Sequence, residues 1–203
     1  MMVKFRILIL LSLLGCNTPE YLSESQLQSF IANPDHGLIK TTSSNNIEVK
    51  LLYKPTDLLV AQELNTNKNF DFELVETIRR KYENYLYFVL SLSHDNREVI
   101  TPASLGQDRF SDMLQTVSFR MAQFVNITTP SMDTLTVADY AYSRTFGMAR
   151  STDLLLVFEK EKCANQPWLQ FNLKEFGLGL GNQALRFDMQ DIINVPKIYK
   201  NQK

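Results

Sequence analysis

The sequence predicts an α+β domain with a mainly antiparallel sheet and two or three helices in the N-terminal two-thirds. In the second half, short runs of alternating apolar and polar residues are separated by short turns. That spacing favours antiparallel pairing, because parallel strands need long crossovers. Several segments of the first two-thirds instead repeat apolar residues at helical spacing. A β-sandwich with helical insertions is the alternative.

The chain begins with a targeting segment. Lys4 and Arg6 precede the apolar run 7–14, which is too short to span a bilayer as a helix. The run ends at Leu13-Leu14-Gly15-Cys16, which resembles the lipobox of bacterial lipoproteins, where the chain is cut before an acylated cysteine. This resemblance implies a cleaved signal peptide over residues 1–15 and lipidation of Cys16. An ordinary signal peptide with a chance cysteine is the alternative.

A short tether over residues 16–22 is expected to join this anchor to a single domain over residues 23–203. Residues 17–22 reach roughly 20 Å when fully extended, so the domain should lie close to its membrane. Apolar residues near helical spacing predict a helix over 26–31, capped by Ser23 or Ser25. Asn33-Pro34 should end it.

The next elements are predicted to be a hairpin and two helices. The hairpin joins strands 38–42 and 47–53 through the loop 43–46. Thr56 or Asp57 can cap a helix that runs to Leu64, and a polar loop over 65–69 follows. An apolar stripe predicts a longer helix from Asp71: Leu74, Val75, Ile78, Tyr82 and Tyr85.

The segments 33–38 and 53–63 resemble a group of lipoproteins from Bacteroidota. They read Asn-Pro-Asp-His-Gly-Leu and Tyr-Lys-Pro-Thr-Asp-Leu-Leu-Val-Ala-Gln-Glu. The resemblance implies a Gram-negative envelope and supports the lipoprotein interpretation, and it assigns no catalytic residue. Surface export in that phylum can use acidic residues after the cysteine, but here only Glu20 follows, so the periplasmic face of the outer membrane is favoured over the cell surface.

The remaining chain is predicted to be mostly strands. A strand over 86–93 is followed by a helix near Asp108 or Ser111, which should change to a strand near Val117. Four further strands are expected at 134–142, 152–158, 168–176 and 183–189. In the third of them, Phe171 should face the core and Asn172 the opposite side.

Charge and composition exclude some functions. The chain carries 21 basic and 22 acidic residues, and loss of Lys4 and Arg6 with the signal peptide makes it slightly more acidic. A nucleic-acid partner is therefore not expected, because such proteins carry an excess of basic residues on one face. The one compact basic cluster, 79–81, is predicted to be a solvated helix face.

No residue pattern in the sequence indicates a cofactor or metal site. The two histidines, His36 and His94, lie in turn-like segments without a second ligand at metal-binding spacing. Cys163 is expected to be a tolerated free thiol in a charged turn. Adjacent residues such as 93–95, Ser-His-Asp, cannot adopt the geometry of a catalytic triad. Asp188 and Asp191 are interpreted as caps of the final turn.

The glycines at 177, 179 and 181 do not form a phosphate loop. They link two strand-like runs and lack the Gly-Lys-Ser/Thr ending, so a hairpin or bulge is the better interpretation. The sequence therefore favours a non-enzymatic, lipid-anchored binding or assembly module with an envelope protein as partner. An envelope hydrolase with dispersed carboxylates is the alternative. Candidate contact residues for a partner are Tyr85, Tyr87, Tyr140 and Tyr142, although core packing also explains them.

Overall fold

The computed structural model describes residues 21–64, 72–163 and 165–198. The strands are β1 Tyr21–Leu22, β2 Ile39–Ser44, β3 Ile47–Lys54, β4 Tyr85–His94, β5 Arg97–Glu98, β6 Val125–Thr128, β7 Thr134–Thr136, β8 Asp139–Tyr142, β9 Thr152–Glu159, β10 Trp168–Leu173, β11 Gln183–Asp188 and β12 Lys197–Ile198. The α-helices are α1 Glu24–Ala32, α2 Thr56–Leu64, α3 Phe72–Tyr82, α4 Pro102–Leu105, α5 Gln107–Gln115 and α6 Met189–Ile193. The signal peptide, Cys16 and the predicted loop 65–69 lie outside the described residues.

Two antiparallel sheets form the body of the domain. One has the strand order β2-β3-β4-β9-β8, with β5 paired to the end of β4, and the other has the order β11-β10-β6-β7. The prediction of an α+β fold with mainly antiparallel sheet is confirmed. Strands β1 and β12 form a separate parallel pair, so Tyr21 and Leu22 belong to the folded domain rather than to the tether.

Phenylalanine rings join the two sheets. Phe88 of β4 lies 5.3 Å from Phe187 of β11 and 6.0 Å from Phe171 of β10, measured between ring centroids, and Phe158 of β9 lies 6.2 Å from Phe171. All four side chains are at most 1% exposed. The sheets therefore pack face to face, which is the layering that the β-sandwich alternative expected.

The first three helices pack beside the first sheet, and α6 contacts β11 of the second sheet. Helix α1 begins at Ser23, which forms a capping box with Gln26, and it ends before Asn33 as predicted. Helices α2 and α3 pack on each other through a small apolar cluster: Val60, Leu64, Val75 and Ile78. The Tyr82 ring of α3 then meets Tyr87 of β4 edge to face, which ties this helix pair to the sheet.

The predicted hairpin over 38–53 is present with a shorter loop. Asn45 and Asn46 alone form the turn between β2 and β3, with φ of 51° and 61°. Two successive left-handed residues give the turn type that matches the twist of paired strands, and Asn tolerates this conformation well. The expected four-residue loop 43–46 was therefore too long by two residues.

Several boundaries differ from the predictions, and the strand expected over 168–176 ends at Leu173. The strand expected from Val117 begins at Val125, because 116–120 continue the helix as a π turn and 121–123 form a 3₁₀ turn. The single strand expected over 134–142 is two strands, β7 and β8, which belong to different sheets. Tyr85 opens β4 instead of completing the stripe of α3.

Among the described residues, no helix has both the length and the apolar character needed to cross a bilayer.

Candidate functional site

A small cavity of about 160 Å³, here called the charged pocket, lies where β5, α4, α5 and the β8 to β9 loop meet. Its lining consists of Glu98, Ile100, Thr101, Pro102, Phe110, Tyr142, Arg144, Phe146 and Gly147. Two larger grooves, of about 620 and 430 Å³, lie beside Tyr85 and below α1 and α2. We regard the charged pocket as the candidate site, because a buried carboxylate lines it.

Glu98 is the central charge of the pocket. It follows the turn Asp95–Asn96 on β5 and is 4% exposed, which is rare for a carboxylate unless it is paired. Its Oε1 accepts hydrogen bonds from Thr145 Oγ1 at 2.6 Å and from the Ala149 amide at 2.8 Å. Within the described residues no hydrogen bond reaches Oε2, and this oxygen is not fully enclosed by protein. One oxygen therefore holds the loop, and the other is left for a partner in the pocket.

Arg144 and Tyr142 supply the other polar groups of the pocket. The Arg144 guanidinium lies over the Phe146 ring at 4.5 Å and near the Phe110 ring at 5.6 Å, measured to the ring centroids. Burial, and then the Glu98 carboxylate, raise the pKa of Tyr142, against a smaller opposite effect of Arg144. The Tyr142 phenol therefore stays neutral at physiological pH and can donate a hydrogen bond.

The rim of the pocket is apolar and exposed. Phe146 and Gly147 form a turn closed by the hydrogen bond from the Met148 amide to the Thr145 carbonyl, at 3.0 Å. Phe146 has a φ of 55°, which is a strained conformation for an aromatic residue. Its side chain is 72% exposed, and that of Met148 is 84% exposed. Backbone strain that presents apolar side chains to solvent is a common property of binding loops.

The glycine-rich segment between β10 and β11 does bind an anion, but that anion is Glu175. The amides of Gly177 and Gly179 donate to Glu175 Oε1 at 2.7 and 2.8 Å, and the amide of Gly181 donates to Oε2 at 2.6 Å. All three glycines have positive φ, which allows the amides to converge. The expectation of a structural turn and not a phosphate loop agrees with this geometry.

We expect the Glu175 loop to make the protein acid-sensitive. Partial burial alone would raise the pKa of Glu175, but the glycine amides outweigh it and lower the pKa below 4.5. A lowered folded-state pKa contributes stability above the unfolded-state value, and that stability is lost as the pH falls through the folded-state pKa. Glu175→Gln should therefore lower the free energy of unfolding near pH 7, and its difference from the wild type should shrink below about pH 4.5. Urea titrations across this range measure the effect, with the exposed Glu159→Gln as the control, and a difference independent of pH would contradict it.

The two histidines lie apart and each has a structural contact. His36 stacks on the Phe30 ring at 3.7 Å, and its Nδ1 lies 2.7 Å from the Phe30 carbonyl oxygen. His94 ends β4 and is exposed, with Nδ1 2.6 Å from the carbonyl oxygen of Asn46. The turn prediction thus fits His36, while His94 belongs to a strand.

Cys163 was expected in a polar turn, but its side chain is fully buried in the main core, on the short 3₁₀ turn Glu161–Cys163. Burial raises the pKa of its thiol to about 11, so the thiol stays protonated and unreactive at neutral pH. In the part of the chain that the structure describes, no three His, Cys, Asp or Glu side chains are grouped so that they could hold a metal ion.

The other sequence candidates have structural roles. Tyr87 is buried, Tyr140 is half-buried with its hydroxyl accepting a hydrogen bond from the Met121 amide, and Tyr85 is 37% exposed. Asp188 occupies the N-cap position of α6 without a side-chain cap bond. Asp191 was expected to cap this turn, but it lies within the helix. Of the four tyrosines, Tyr142 alone lines the charged pocket.

Sequence reasoning missed Glu98, Arg144 and Phe146. The sequence does not show whether a carboxylate is buried or solvated. Glu98 lies in a polar stretch, Asp95-Asn96-Arg97-Glu98, that predicts an exposed turn. Phe146-Gly147 was the available signal, because an aromatic residue beside a glycine in a polar segment indicates an exposed turn.

No family model and no curated protein matches the chain. Among solved structures, the chain is similar to a crystal structure of a protein of unknown function from Burkholderia pseudomallei, with a TM-score of 0.40 and 16% identity. The similarity covers 85% of this chain and 92% of the other. At this TM-score it carries no argument about the present protein, and the resemblance to Bacteroidota lipoproteins stays a prediction.

Proposed function

We propose that this protein is a lipid-anchored binding module of the bacterial cell envelope. Acyl chains on Cys16 would hold it at the outer membrane, facing the periplasm, and the exposed rim of the charged pocket would contact an envelope protein. The lipobox over residues 13–16 supports the anchor. The observation that carries the binding part is the rim of this pocket, where Phe146 is 72% exposed at a strained φ of 55° and the neighbouring Met148 is 84% exposed.

The short segment between anchor and fold supports a location close to the bilayer. Because Tyr21 and Leu22 pair with β12, residues 17–20 remain as tether, and they reach about 14 Å when fully extended. At this distance the domain would meet partners at the membrane surface. Two or three acyl chains bind a bilayer strongly, since each buried CH₂ contributes about 0.8 kcal/mol.

In the charged pocket, the side chains present favour binding over hydrolysis. The larger groove beside Tyr85 is lined by three carboxylates, those of Glu83, Glu159 and Glu161, and all three residues are exposed. Glycosidases commonly use two carboxylates within about 10 Å of each other. The described lining of the charged pocket combines Glu98 with a guanidinium and a phenol instead of a second carboxylate. The amides around Glu175 and the pairing of Asp57 with Arg79 occupy two further carboxylates. These arrangements support ligand binding by charge and shape.

The anchor is tested by Cys16→Ser. Without the thiol no acyl chain can be attached, so we expect the protein to leave the membrane fraction or to remain as uncleaved precursor. Fractionation of the envelope with detergent, followed by immunoblotting, measures the change, and Cys163→Ser is a matched control that keeps the anchor. A normally cleaved Cys16→Ser protein that stays in the membrane fraction would contradict the anchor.

The binding part is tested by site-specific crosslinking in intact cells. A photoreactive amino acid at Met148, on the rim of the charged pocket, should crosslink to a defined envelope protein. The same amino acid at Met132, which is 88% exposed on another loop, is the matched control. Equal crosslinking from both positions would contradict a specific binding surface at the rim.

A further inference from the structure

The charged pocket contains a carboxylate and a guanidinium that do not pair with each other. Both Glu98 and Arg144 line the cavity, yet among the described residues no ion pair within 4.0 Å joins them. Each is held by other groups: Glu98 by Thr145 and Ala149, and Arg144 by the ring of Phe146. Two opposite charges thus line one space, the Glu98 carboxylate on a buried side chain and the Arg144 guanidinium on an exposed one.

The second carboxylate oxygen of Glu98 is available to a bound molecule. Burying a carboxylate is costly unless its oxygens are hydrogen-bonded, and the hydrogen bonds that Glu98 accepts from described residues all reach Oε1. A bound cationic donor would satisfy Oε2, but Arg144 would repel a simple cation in the same pocket. A simple anion that paired with Arg144 would be repelled by Glu98 in turn. A molecule with both charges would meet both groups favourably.

The size of the pocket restricts the ligand to a small molecule. A volume of about 160 Å³ is similar to that of protein cavities of about 150 Å³ that bind a molecule the size of benzene. An amino acid with a small side chain fits in this space, whereas a disaccharide or a folded peptide segment does not. Tyr142 lines the same pocket as Glu98 and Arg144, and its neutral phenol adds a hydrogen-bond partner.

We propose that the charged pocket binds a small zwitterion of the amino acid type, with its ammonium group at Glu98 and its carboxylate at Arg144. This inference rests on the proposed binding function and names a ligand class for the same site. A free amino acid and a whole dipeptide such as diglycine each carry one ammonium and one carboxylate group, and the volume of the pocket favours the free amino acid.

The test is isothermal titration calorimetry of the full mature lipoprotein in a nonionic detergent. The probes are glycine, β-alanine and γ-aminobutyrate, which place the two charges at increasing separation, with diglycine as the peptide probe. Acetate and methylammonium each carry one of the two charges. We expect at least one amino acid to bind about tenfold more tightly than either single-charge probe. Tighter binding of diglycine than of every amino acid would overturn the assignment to a free amino acid.

Two variants connect the binding to the two charges. Glu98→Gln keeps the acceptor for Thr145 and Ala149 and replaces the free oxygen by an amide nitrogen, and Arg144→Gln removes the guanidinium from an exposed side chain. Each should weaken binding by about tenfold or more. Glu159→Gln and Arg150→Gln change the same charges at exposed positions outside the pocket lining and should leave the affinity unchanged.

The outcomes separate this inference from the proposed function. Absence of binding up to about 10 mM, or equal affinity for acetate or methylammonium, overturns the zwitterion site. Unchanged affinity in the Arg144→Gln protein overturns it as well, even if Glu98→Gln fails to fold. Specific crosslinking from Met148 without zwitterion binding would leave the binding module in place and remove this ligand class alone.

Discussion

Replacing Phe171 by alanine should lower the free energy of unfolding by about 3 to 5 kcal/mol. The Phe171 ring is 1% exposed and contacts Phe88 and Phe158 of the opposite sheet. The substitution leaves a cavity between two sheets that cannot close without moving their strands. Because small domains are stable by about 5 to 15 kcal/mol, the loss is a large part of the total. Urea denaturation followed by circular dichroism measures it.

The neighbouring residue provides the control. Asn172 faces the other side of β10, where its Nδ2 donates to Asn126 Oδ1 at 2.9 Å and to Thr128 Oγ1 at 3.1 Å. Asn172→Ala removes these half-buried hydrogen bonds and should cost about 1 kcal/mol. If both variants lose the same stability, the register of β10 in the core is wrong.

Removal of the Asp57 carboxylate should cost about 3 to 5 kcal/mol, because it breaks a buried ion pair from one side. Asp57 Oδ1 accepts from Arg79 Nε at 2.9 Å, and Oδ2 accepts from Arg79 Nη2 at 3.1 Å and from the Ile198 amide at 2.9 Å. One carboxylate thus holds α2, α3 and β12 together. Asp57→Ala leaves the buried Ile198 amide without this acceptor and leaves Arg79 with its contact to Glu76. Thermal or urea unfolding measures the loss.

A double-mutant cycle measures the interaction free energy between Asp57 and Arg79 separately from their contacts with other residues. Arg79→Ala alone should also be destabilising, and the double variant should lose clearly less than the sum of the two. The exposed pair of Lys81 with Glu63 is the control, since Lys81→Ala should change the stability little. A loss in Asp57→Ala as small as that of Lys81→Ala would show that the buried pair does not hold these elements.

The predicted elements are most accurate where the residues that decide the local conformation are close in sequence and the fold buries the side chains that the pattern marks as apolar. The segment 47–53 alternates between apolar and more polar residues in most of its length, and in the fold Val49, Leu51 and Tyr53 are buried. The capping residue Ser23 is likewise a local signal, because its partner is three residues away. In both cases the residues that decide the conformation are close in sequence.

The predicted position of the helix-to-strand boundary was wrong, because the same apolar residues fit both the spacing of a strand and the spacing of a helix. Val117, Phe119 and Met121 alternate as a strand would, but Val117 and Met121 also stand four apart, as on one helix face. The structure follows the second pattern: Val117 and Met121 are fully buried and Phe119 is 79% exposed. Likewise, nothing local shows that the chain leaves one sheet after Thr136 and joins the other at Asp139.

The charged pocket could not be predicted from the sequence, because the residues that line it are far apart in the chain and come together only in the folded domain. Glu98 bonds to Thr145 and Ala149, which are 47 and 51 residues away. Burial of that carboxylate depends on the path of the β8 to β9 loop over α4. The sequence indicates Tyr142 as a candidate contact residue, but it does not show that Glu98 and Arg144 line the same pocket.

The parallel pairing of β1 with β12 places the first and last described strands side by side. Tyr21 lies opposite Lys197 and Leu22 opposite Ile198, so the first and last described strands are neighbours, about 4.8 Å apart. A short peptide linker could join these positions covalently, and new ends could be opened at the Asn45–Asn46 turn. Such a circular permutant should preserve the arrangement of both sheets, so the attachment point of the anchor can be moved experimentally around the domain.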